Sequence, residues 1–315
     1  MGKVLLFGEA MGLFIAQEQG ELEEIVNFKK SVAGAELNVA IGLKRLEHDV
    51  IYISKVGEDF LGSYIKKYMQ KENIDTSYIK IDKYKKTGLM FKSKVENGDP
   101  KIDYYRKDSA FSNIELNDLY NIDFKEIDIL HLTGIPIAIS EKCREIAYYL
   151  IDKAKENNIY ITFDPNLRFN LWENRETMIK VINDIAKKCD LILPGINEGK
   201  ILTGYDSVEK IANFYEELGV KEIIIKDGKN GAYIKTKNNS FYEKGFYVKK
   251  VIDTVGAGDG FATGIISGKL EKLNERDCLI RANAIGAMQV QVVSDNEGLP
   301  NKDELKKFIS KNYKN

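Results

Sequence analysis

The chain has 315 residues, of which 43% are hydrophobic and 30% charged, a composition typical of a globular enzyme and not of a disordered or membrane chain. Its 47 basic and 48 acidic residues give a net charge of −1, which excludes a global attraction to nucleic acid or acidic membranes. Three widely spaced cysteines and two histidines provide neither a disulfide framework nor zinc-ligand spacing. We expect a cytoplasmic protein, because no signal-peptide pattern or membrane-length apolar run is present.

Short apolar runs alternate with longer amphipathic stretches along most of the chain. The runs predict strands at 4–7, 50–53, 127–132, 159–163, 191–193 and 222–226. The stretches predict helices, among them 36–46, 61–72, 141–157 and 178–187. Continuous apolar strands separated by helices are typical of a parallel sheet covered on both faces. The pattern therefore predicts an α/β fold, a three-layer αβα sandwich with a mostly parallel central sheet that binds ligands at the carboxyl ends of its strands.

Two segments, about 13–28 and 87–106, break this alternation. Both are extended and alternating, with no helical pattern inside them. They predict a small antiparallel β lid beside the main sheet. We expect a single domain over residues 1–315 that carries this lid, and a homo-oligomer formed through the lid, because exposed sheet edges tend to pair.

The segment 253–261, Asp-Thr-Val-Gly-Ala-Gly-Asp-Gly-Phe, lies between an apolar run and a helix-compatible stretch. Its glycines allow positive φ and close approach of a ligand to the main chain. Free N–H groups at the start of the following helix make a site for an anion. A carboxylate there, Asp259, suits a proton acceptor beside a transferring phosphoryl group. The alternative is a tight glycine turn in which the aspartate only caps the helix.

Two further motifs precede this segment in the chain: Gly-Ala-Glu-Leu-Asn-Val-Ala at 34–40 and Val-Gly-Glu-Asp-Phe-Leu-Gly at 56–62. The three motifs, in this order, resemble the signatures of the ribokinase-like (PfkB) carbohydrate kinase family over essentially the whole chain. The resemblance implies the ribokinase-like fold, with ATP and a small-molecule sugar as ligands and Mg²⁺ as cofactor. It also admits a monovalent cation.

Three more segments, 104–110, 164–172 and 294–298, resemble 2-keto-3-deoxygluconate kinases within that family. Such a substrate carries a carboxylate, which the planar fork of arginine binds in a bidentate manner. We therefore expect Arg106 and Arg168 to converge on the acid group. Tyr104 and Tyr105 alternate along a strand, so one is expected to face the sugar. Taken singly, a surface arginine and an ordinary tyrosine pair are the alternatives.

The resemblance implies a role for each matching residue. Asp259 would take the proton from the primary hydroxyl, and the main-chain N–H groups of Gly256, Ala257 and Gly258 would bind the developing charge. The implied substrate-binding residues are Gly34, Asn38, Tyr104, Tyr105, Arg106, Arg168, Asp253 and Asp295. The implied nucleotide-binding residues are Asp164, Asn166, Arg168, Lys226, Gly228, Gly231, Gly256, Gly258 and Asn283. A plain glycine hairpin is the alternative for residues 228–231.

The chain departs from the family pattern in two places. Gly195 stands where the family has an asparagine associated with magnesium and phosphate, and Asn197 is displaced by two residues. Glu198 is retained, so we assign it only an indirect role toward the metal. Gly260 replaces a more usual alanine or serine, which makes the turn more flexible without removing a donor.

Four other functions are compatible with parts of the sequence pattern. A neutral-sugar or nucleoside kinase, such as a fructokinase, shares the turn and the base, and only the arginines and tyrosines speak against it. A dinucleotide-dependent dehydrogenase needs a glycine spacing that residues 8–12 lack. A phosphate-loop NTPase needs a motif that residues 264–270 do not match. A non-catalytic sugar sensor has no need of Asp259.

Overall fold

Strands and helices alternate along the computed structural model, which describes residues 2–95, 100–119 and 122–313. The strands are β1 (Lys3–Phe7), β2 (Met11–Gln19), β3 (Phe28–Ala33), β4 (Asp49–Gly57), β5 (Ile79–Asp82), β6 (Leu89–Lys94), β7 (Ile102–Tyr105), β8 (Ile129–Thr133), β9 (Tyr160–Asp164), β10 (Leu191–Ile192), β11 (Glu222–Lys226), β12 (Gly231–Lys235) and β13 (Ser240–Lys244). The α-helices are α1 (Ala35–Arg45), α2 (Phe60–Lys71), α3 (Gly134–Ile139), α4 (Glu141–Glu156), α5 (Arg175–Ala186), α6 (Ile196–Thr203), α7 (Val208–Glu217), α8 (Ala257–Leu270), α9 (Glu275–Gln289) and α10 (Lys302–Asn312).

Nine strands form the main sheet, in the order β13-β12-β11-β10-β9-β8-β1-β4-β5. The seven from β11 to β5 pair in parallel, whereas β12 and β13 extend one edge in antiparallel fashion. The carboxyl ends of β1, β8, β9 and β11 therefore open at the same edge of the sheet. Ligands of open parallel sheets bind at this edge.

Helices cover both faces of this sheet, and the strand residues alternate between two apolar cores. Val4 and Leu6 of β1 pack in one core with residues of α1, α8 and α9. Leu5 and Phe7 pack in the other core with residues of α4, α5 and α7. Burial on both faces explains why these strands are continuously apolar. The predicted three-layer αβα architecture is confirmed.

Every predicted strand and helix of the main layers is present, with ends shifted by a few residues. The largest difference is β4, which continues to Gly57 because it pairs first with β1 and then with β5. The short strand β5 and the hairpin of β12 and β13 were not predicted. The edge strands β5 and β13 are polar and half-exposed and so carry a weak apolar signal, whereas β12 is buried but has a short apolar run, Ala232–Ile234.

The remaining four strands form a separate sheet, in the order β3-β2-β6-β7, which we call the lid. The predicted bounds and pairing need correction. The first lid piece, predicted at about 13–28, consists of two strands and extends to Ala33. The pair β2–β6 is parallel, not antiparallel, because the chain passes through the main layers before it returns to the lid. Within the predicted piece 87–106, residues 96–99 lie outside the described residues.

The two faces of the lid differ in composition and burial. Leu13, Ile15 and Met90 point inward and are buried in a small core of their own. Phe14, Phe28, Phe91 and Tyr105 form an aromatic cluster on the opposite face, with ring centroids 5.2–5.8 Å from Phe91. The lid thus places one face over the sheet edge and turns an aromatic face away from it.

Within the described ranges, none of the helices combines the length and the apolar character that crossing a membrane requires.

Candidate active site

The turn before α8 is shaped by Gly256. This residue has φ 81° and ψ −6°, in the left-handed region that favours glycine. A Cβ atom built on Gly256 would lie 2.2 Å from the carbonyl oxygen of Asp295, so no side chain fits there. The turn thereby directs the N–H groups of the first turn of α8, including that of Gly258, toward the sheet edge. The Ala257 N–H donates to Thr254 O at 3.3 Å.

Asp259 lies in the first turn of α8 and is 9% exposed. One oxygen of its carboxylate accepts a hydrogen bond from Asn38 Nδ2 at 2.8 Å. Burial raises the pKa of Asp259 to about 6, although the Asn38 hydrogen bond favours the charged form and opposes that rise. The carboxylate is therefore mostly ionised at neutral pH and is basic enough to accept a proton.

Asn38 positions this carboxylate. Its side-chain oxygen accepts a hydrogen bond from Asn296 Nδ2 at 3.2 Å, which fixes the orientation of the amide. Tyr68 in turn donates to the side-chain oxygen of Asn296 at 3.0 Å. Sequence reasoning expected Asn38 to bind a sugar hydroxyl. The structure occupies both ends of its amide with protein partners, one of them Asp259.

A cavity of about 440 Å³ lies between the lid and the carboxyl ends of the strands. Its lining brings together most of the predicted substrate and catalytic residues. From the predicted sets it includes Gly34, Asn38, Tyr104, Arg106, Asp164, Asn166, Arg168, Lys226, Gly256, Gly258, Asp259 and Asp295, with Glu198. Gly34 has φ 142°, and a Cβ there would meet Glu9 O at 2.4 Å, so its glycine identity is also fixed by close backbone contact.

Two predicted substrate-binding residues do not line this cavity. Tyr105 is 60% exposed and contacts Phe91 on the outer face of the lid, so Tyr104 is the tyrosine that faces inward. Asp253 is 3% exposed, and its carboxylate lies 2.5 Å from the ammonium of Lys92. Its other oxygen accepts from Val255 N at 3.0 Å. Asp253 therefore lies beneath the turn, as a structural support of it.

The two predicted arginines have different surroundings. Arg106 is buried, and its Nε and Nη2 atoms lie 2.7 and 2.6 Å from the same carboxylate oxygen of Glu9. Its charge is thus largely neutralised within the protein. Arg168 is half-buried and donates from Nη1 to Leu167 O at 3.0 Å. Of the two, Arg168 has the guanidinium with more donors left for a ligand.

A second cavity, of about 770 Å³, lies on the other side of the turn. Its walls are largely apolar and include Phe246, Val248 and Val290, and the predicted residues Gly228, Gly231 and Asn283 line it as well. Asn283 Nδ2 donates to Lys244 O at 3.2 Å, so its amide also holds the wall in place. An apolar cavity of this size suits a flat heterocyclic base.

Lys226 joins the two cavities. It lines both of them, together with Thr254 and Gly258. Its Nζ atom lies 2.6 Å from the Asp164 carboxylate and 3.6 Å from the position that a Cβ on Gly258 would take. Burial lowers the pKa of Lys226, but the Asp164 and Glu198 carboxylates outweigh it and the pKa is raised. A charged ammonium therefore lies at the start of α8, where an anion would bind.

Glu198 holds backbone rather than an open coordination site. Its two carboxylate oxygens accept from Leu167 N and Gly195 N, each at 2.7 Å. It thereby fixes the loop that carries Arg168 against the start of α6. Among the described residues, no three His, Cys, Asp or Glu side chains are grouped to hold a metal ion. The residues present thus fit a metal that arrives with a polyphosphate, not one held in a protein cage.

Three important side chains were missed by the sequence reasoning. Glu9 follows β1 after Gly8, at the carboxyl edge of the sheet, and this position was a usable signal. Lys92 lies two residues after Met90 along β6, and this spacing places both side chains on the inward face. The link from Asn296 to Asn38 joins residues far apart in sequence, and no local pattern reports it.

Comparisons with known proteins agree with this geometry. A family model described as pfkB family carbohydrate kinase matches residues 1–302. The chain is 45% identical to a 2-dehydro-3-deoxygluconokinase of Bacillus subtilis (strain 168), covering 96% of this chain and 94% of that protein. It is similar to the solved PfkB protein from Polaromonas sp. JS666, with TM-score 0.89, 40% identity, and coverage of 97% of this chain and 99% of that one. It also resembles a fructokinase double mutant from Vibrio cholerae O395 solved with fructose, ADP and potassium ion, with TM-score 0.87, 25% identity and 98% coverage of both chains.

The hydrogen bond from Asn38 should set the ionisation of Asp259. We expect the Asp259 carboxyl to titrate near pH 6, and its pKa to rise in Asn38→Ala, because the variant removes a donor that stabilises the charged form. A carbon-detected NMR titration of the labelled carboxyl measures both values. An unchanged or lower pKa in the variant would contradict this arrangement.

Proposed function

The chain belongs to the pfkB family of carbohydrate kinases, and we propose that it transfers the γ-phosphoryl group of ATP to the primary hydroxyl of 2-keto-3-deoxygluconate. The product would be 2-keto-3-deoxy-6-phosphogluconate. The observation that carries the proposal is the placement of Asp259. This base lies at the start of α8 and lines the polar cavity together with Arg168, while its neighbour Gly258 also lines the larger apolar cavity.

In the proposed reaction, the sugar lies in the polar cavity with its primary hydroxyl toward Asp259, and ATP lies in the apolar cavity. Asp259 accepts the hydroxyl proton as the oxygen forms a bond to the γ-phosphorus and the bond to the β-phosphate oxygen breaks. The N–H group of Gly258 and the ammonium of Lys226 stabilise the charge that develops on the transferring group, whereas the Ala257 N–H already donates to Thr254 O. The proton leaves Asp259 for solvent when the products depart.

Mg²⁺ would enter with the phosphates of ATP and neutralise part of their charge. The chain's own residues then orient the sugar and the ATP and exclude water from the site. Asp164 and Glu198 would face the phosphates only indirectly, because Lys226 and two backbone N–H groups already occupy their oxygens. This fits the indirect role that the retained glutamate implied.

Recognition of the acid group distinguishes this substrate from a neutral sugar. We assign the substrate carboxylate to Arg168, while Arg106, paired with Glu9, and Tyr104 form the wall of the cavity. Identity to a protein named for a deoxygluconate substrate is 45%, against 31% for a protein named probable fructokinase. Both the placement of Arg168 in the cavity and the comparison thus support a sugar acid over the neutral-sugar alternative.

Replacing the base tests the reaction type. Asp259→Asn should fold and bind ATP but lose turnover by about 10²–10⁴, the usual contribution of a positioned base. Asp277→Asn, which changes the exposed aspartate in the first turn of α9, is the matched control and should keep wild-type turnover. ADP release in a coupled assay with ATP, Mg²⁺ and 2-keto-3-deoxygluconate measures both. Near-normal turnover of Asp259→Asn would remove the base from the mechanism.

Replacing the arginine tests the substrate class. Arg168→Lys keeps the charge but loses the bidentate fork, so KM for 2-keto-3-deoxygluconate should rise by about tenfold or more, while KM for fructose changes little. Arg175→Lys, an exposed position at the start of α5, should change neither value. Equal effects of Arg168→Lys on the acid and on fructose would sink the carboxylate assignment.

We further propose that two copies of the chain associate through the aromatic outer face of the lid. Four aromatic side chains lie together on that sheet face around Phe91, and Tyr105 is 60% exposed. A contiguous aromatic patch of this kind is typical of an interface.

A charge on that face should prevent association. Tyr105→Glu is expected to run as a monomer in size-exclusion chromatography with light scattering, whereas wild type runs as an oligomer. Tyr205→Glu, at an exposed tyrosine of the main layers, should behave like wild type. A monomeric wild type, or an oligomeric Tyr105→Glu, would exclude the lid interface.

A further inference from the structure

Lys92 is a deeply buried charged side chain that the proposed reaction does not use. It belongs to strand β6 of the lid, and its side chain is 1% exposed. Its ammonium lies 2.5 Å from a carboxylate oxygen of Asp253 and 2.8 Å from one of Asp295. Both carboxylates are themselves almost completely buried. A single lid lysine thus faces two buried aspartates from elsewhere in the chain.

The two aspartates belong to the segments that shape the catalytic turn. Asp253 precedes Gly256 by three residues and bonds Val255 N. Asp295 lies in the loop 292–298, whose carbonyl oxygen at residue 295 packs directly on Gly256. Asp295 also lines the polar cavity. The ammonium therefore joins three parts of the molecule: the lid, the catalytic turn and the loop 292–298.

A second tie joins the turn to the same loop. The side-chain Nε2 atom of Gln289 donates to Ser294 O at 2.5 Å and lies 3.5 Å from Val255 O. This amide is neutral, however, and does not reach the two carboxylates. Among the described residues within ion-pairing distance of either aspartate, Lys92 is the cation that balances them.

The charge balance makes this lysine indispensable to the arrangement. Two ionised carboxylates so close together in a buried site repel each other and lose their hydration unless a cation accompanies them. Burial alone lowers the pKa of Lys92, but Asp295 and Asp253 raise it further than burial lowers it. The lysine therefore stays charged, and removal of its ammonium leaves two buried carboxylates without their ion-pair partner.

We propose that Lys92 is a positioning residue whose ammonium serves as a built-in monovalent cation, holding the catalytic turn and the loop 292–298 in place beneath the lid. The proposal deepens the proposed kinase function and rests on it. A cation fixed to the lid also couples the position of the lid to the geometry around Gly256. Turnover should consequently need no monovalent cation from solution.

Removal and replacement of the cation test this role. Lys92→Ala should lower kcat by at least about tenfold, because one partner of a buried charge cluster is lost, while KM for ATP changes little. Ethylammonium or propylammonium ions, which fit the space left by the side chain, should restore part of kcat in a saturable manner. Lys94→Ala, at the exposed lysine two residues further along β6, is the matched control and should show neither effect.

Two substitutions that keep the bulk of the side chain separate charge from packing. Lys92→Arg retains a cation and should keep more turnover than Lys92→Met, which retains only the apolar stem. Equal kcat in the two folded variants would overturn the proposal, as would a Lys92→Ala enzyme with kcat within about twofold of wild type. The wild type should turn over equally in sodium, potassium and tetramethylammonium buffers, and a strict potassium requirement would also overturn it.

Measurement of Tm tests the role of Lys92 independently of the substrate. Propylammonium should raise the Tm of Lys92→Ala more than that of Lys94→Ala, whichever sugar the enzyme uses. If the wild type releases no ADP with the sugar acid but this Tm shift appears, only the proposed function fails. If the wild type is active and neither rescue nor Tm shift appears, only the role of Lys92 fails.

Discussion

Gly256 takes a left-handed conformation and touches the Asp295 carbonyl because it has no side chain. This contact decides where α8 begins, and so where its first N–H groups and Asp259 point. With any other residue at position 256, the Cβ atom would lie 2.2 Å from the Asp295 carbonyl oxygen. This clash would move the start of α8 away from both cavities. The base, the anion site and the boundary between the two cavities therefore all depend on one close backbone approach.

Buried charges hold this turn in place from three sides. Lys226, which lines both cavities, pairs with Asp164, and Lys92 pairs with two aspartates beneath the turn. Asn38 fixes the Asp259 carboxylate itself. Buried charges contribute little net stability but fix geometry, because each partner is costly to leave alone. The site is accordingly preorganised by charge, as phosphoryl transfer requires.

The sequence predicted the architecture and most of the cavity lining well, for physical reasons. Continuous apolar strands such as β8 and β11 indicate burial on both faces of the sheet. Glycine turns such as that at Gly256 indicate a local constraint on the backbone. Partners of buried polar groups were not predictable in the same way. The pairing of Arg106 with Glu9, or of Asn38 with Asp259, depends on which distant segments meet, and no local periodicity encodes it. The predicted pairing of the lid strands was wrong for the same reason, because the parallel pair β2–β6 joins strands that are far apart in the sequence.

The central claim is that this site phosphorylates a sugar acid in preference to a neutral sugar. A competition assay tests it most directly: equal concentrations of 2-keto-3-deoxygluconate and fructose compete for limiting ATP and Mg²⁺, and mass spectrometry identifies the phosphorylated products. Selection by one bidentate arginine predicts that the phosphorylated sugar acid predominates by about tenfold or more. Predominance of fructose phosphate, or equal amounts of the two products, would contradict the account.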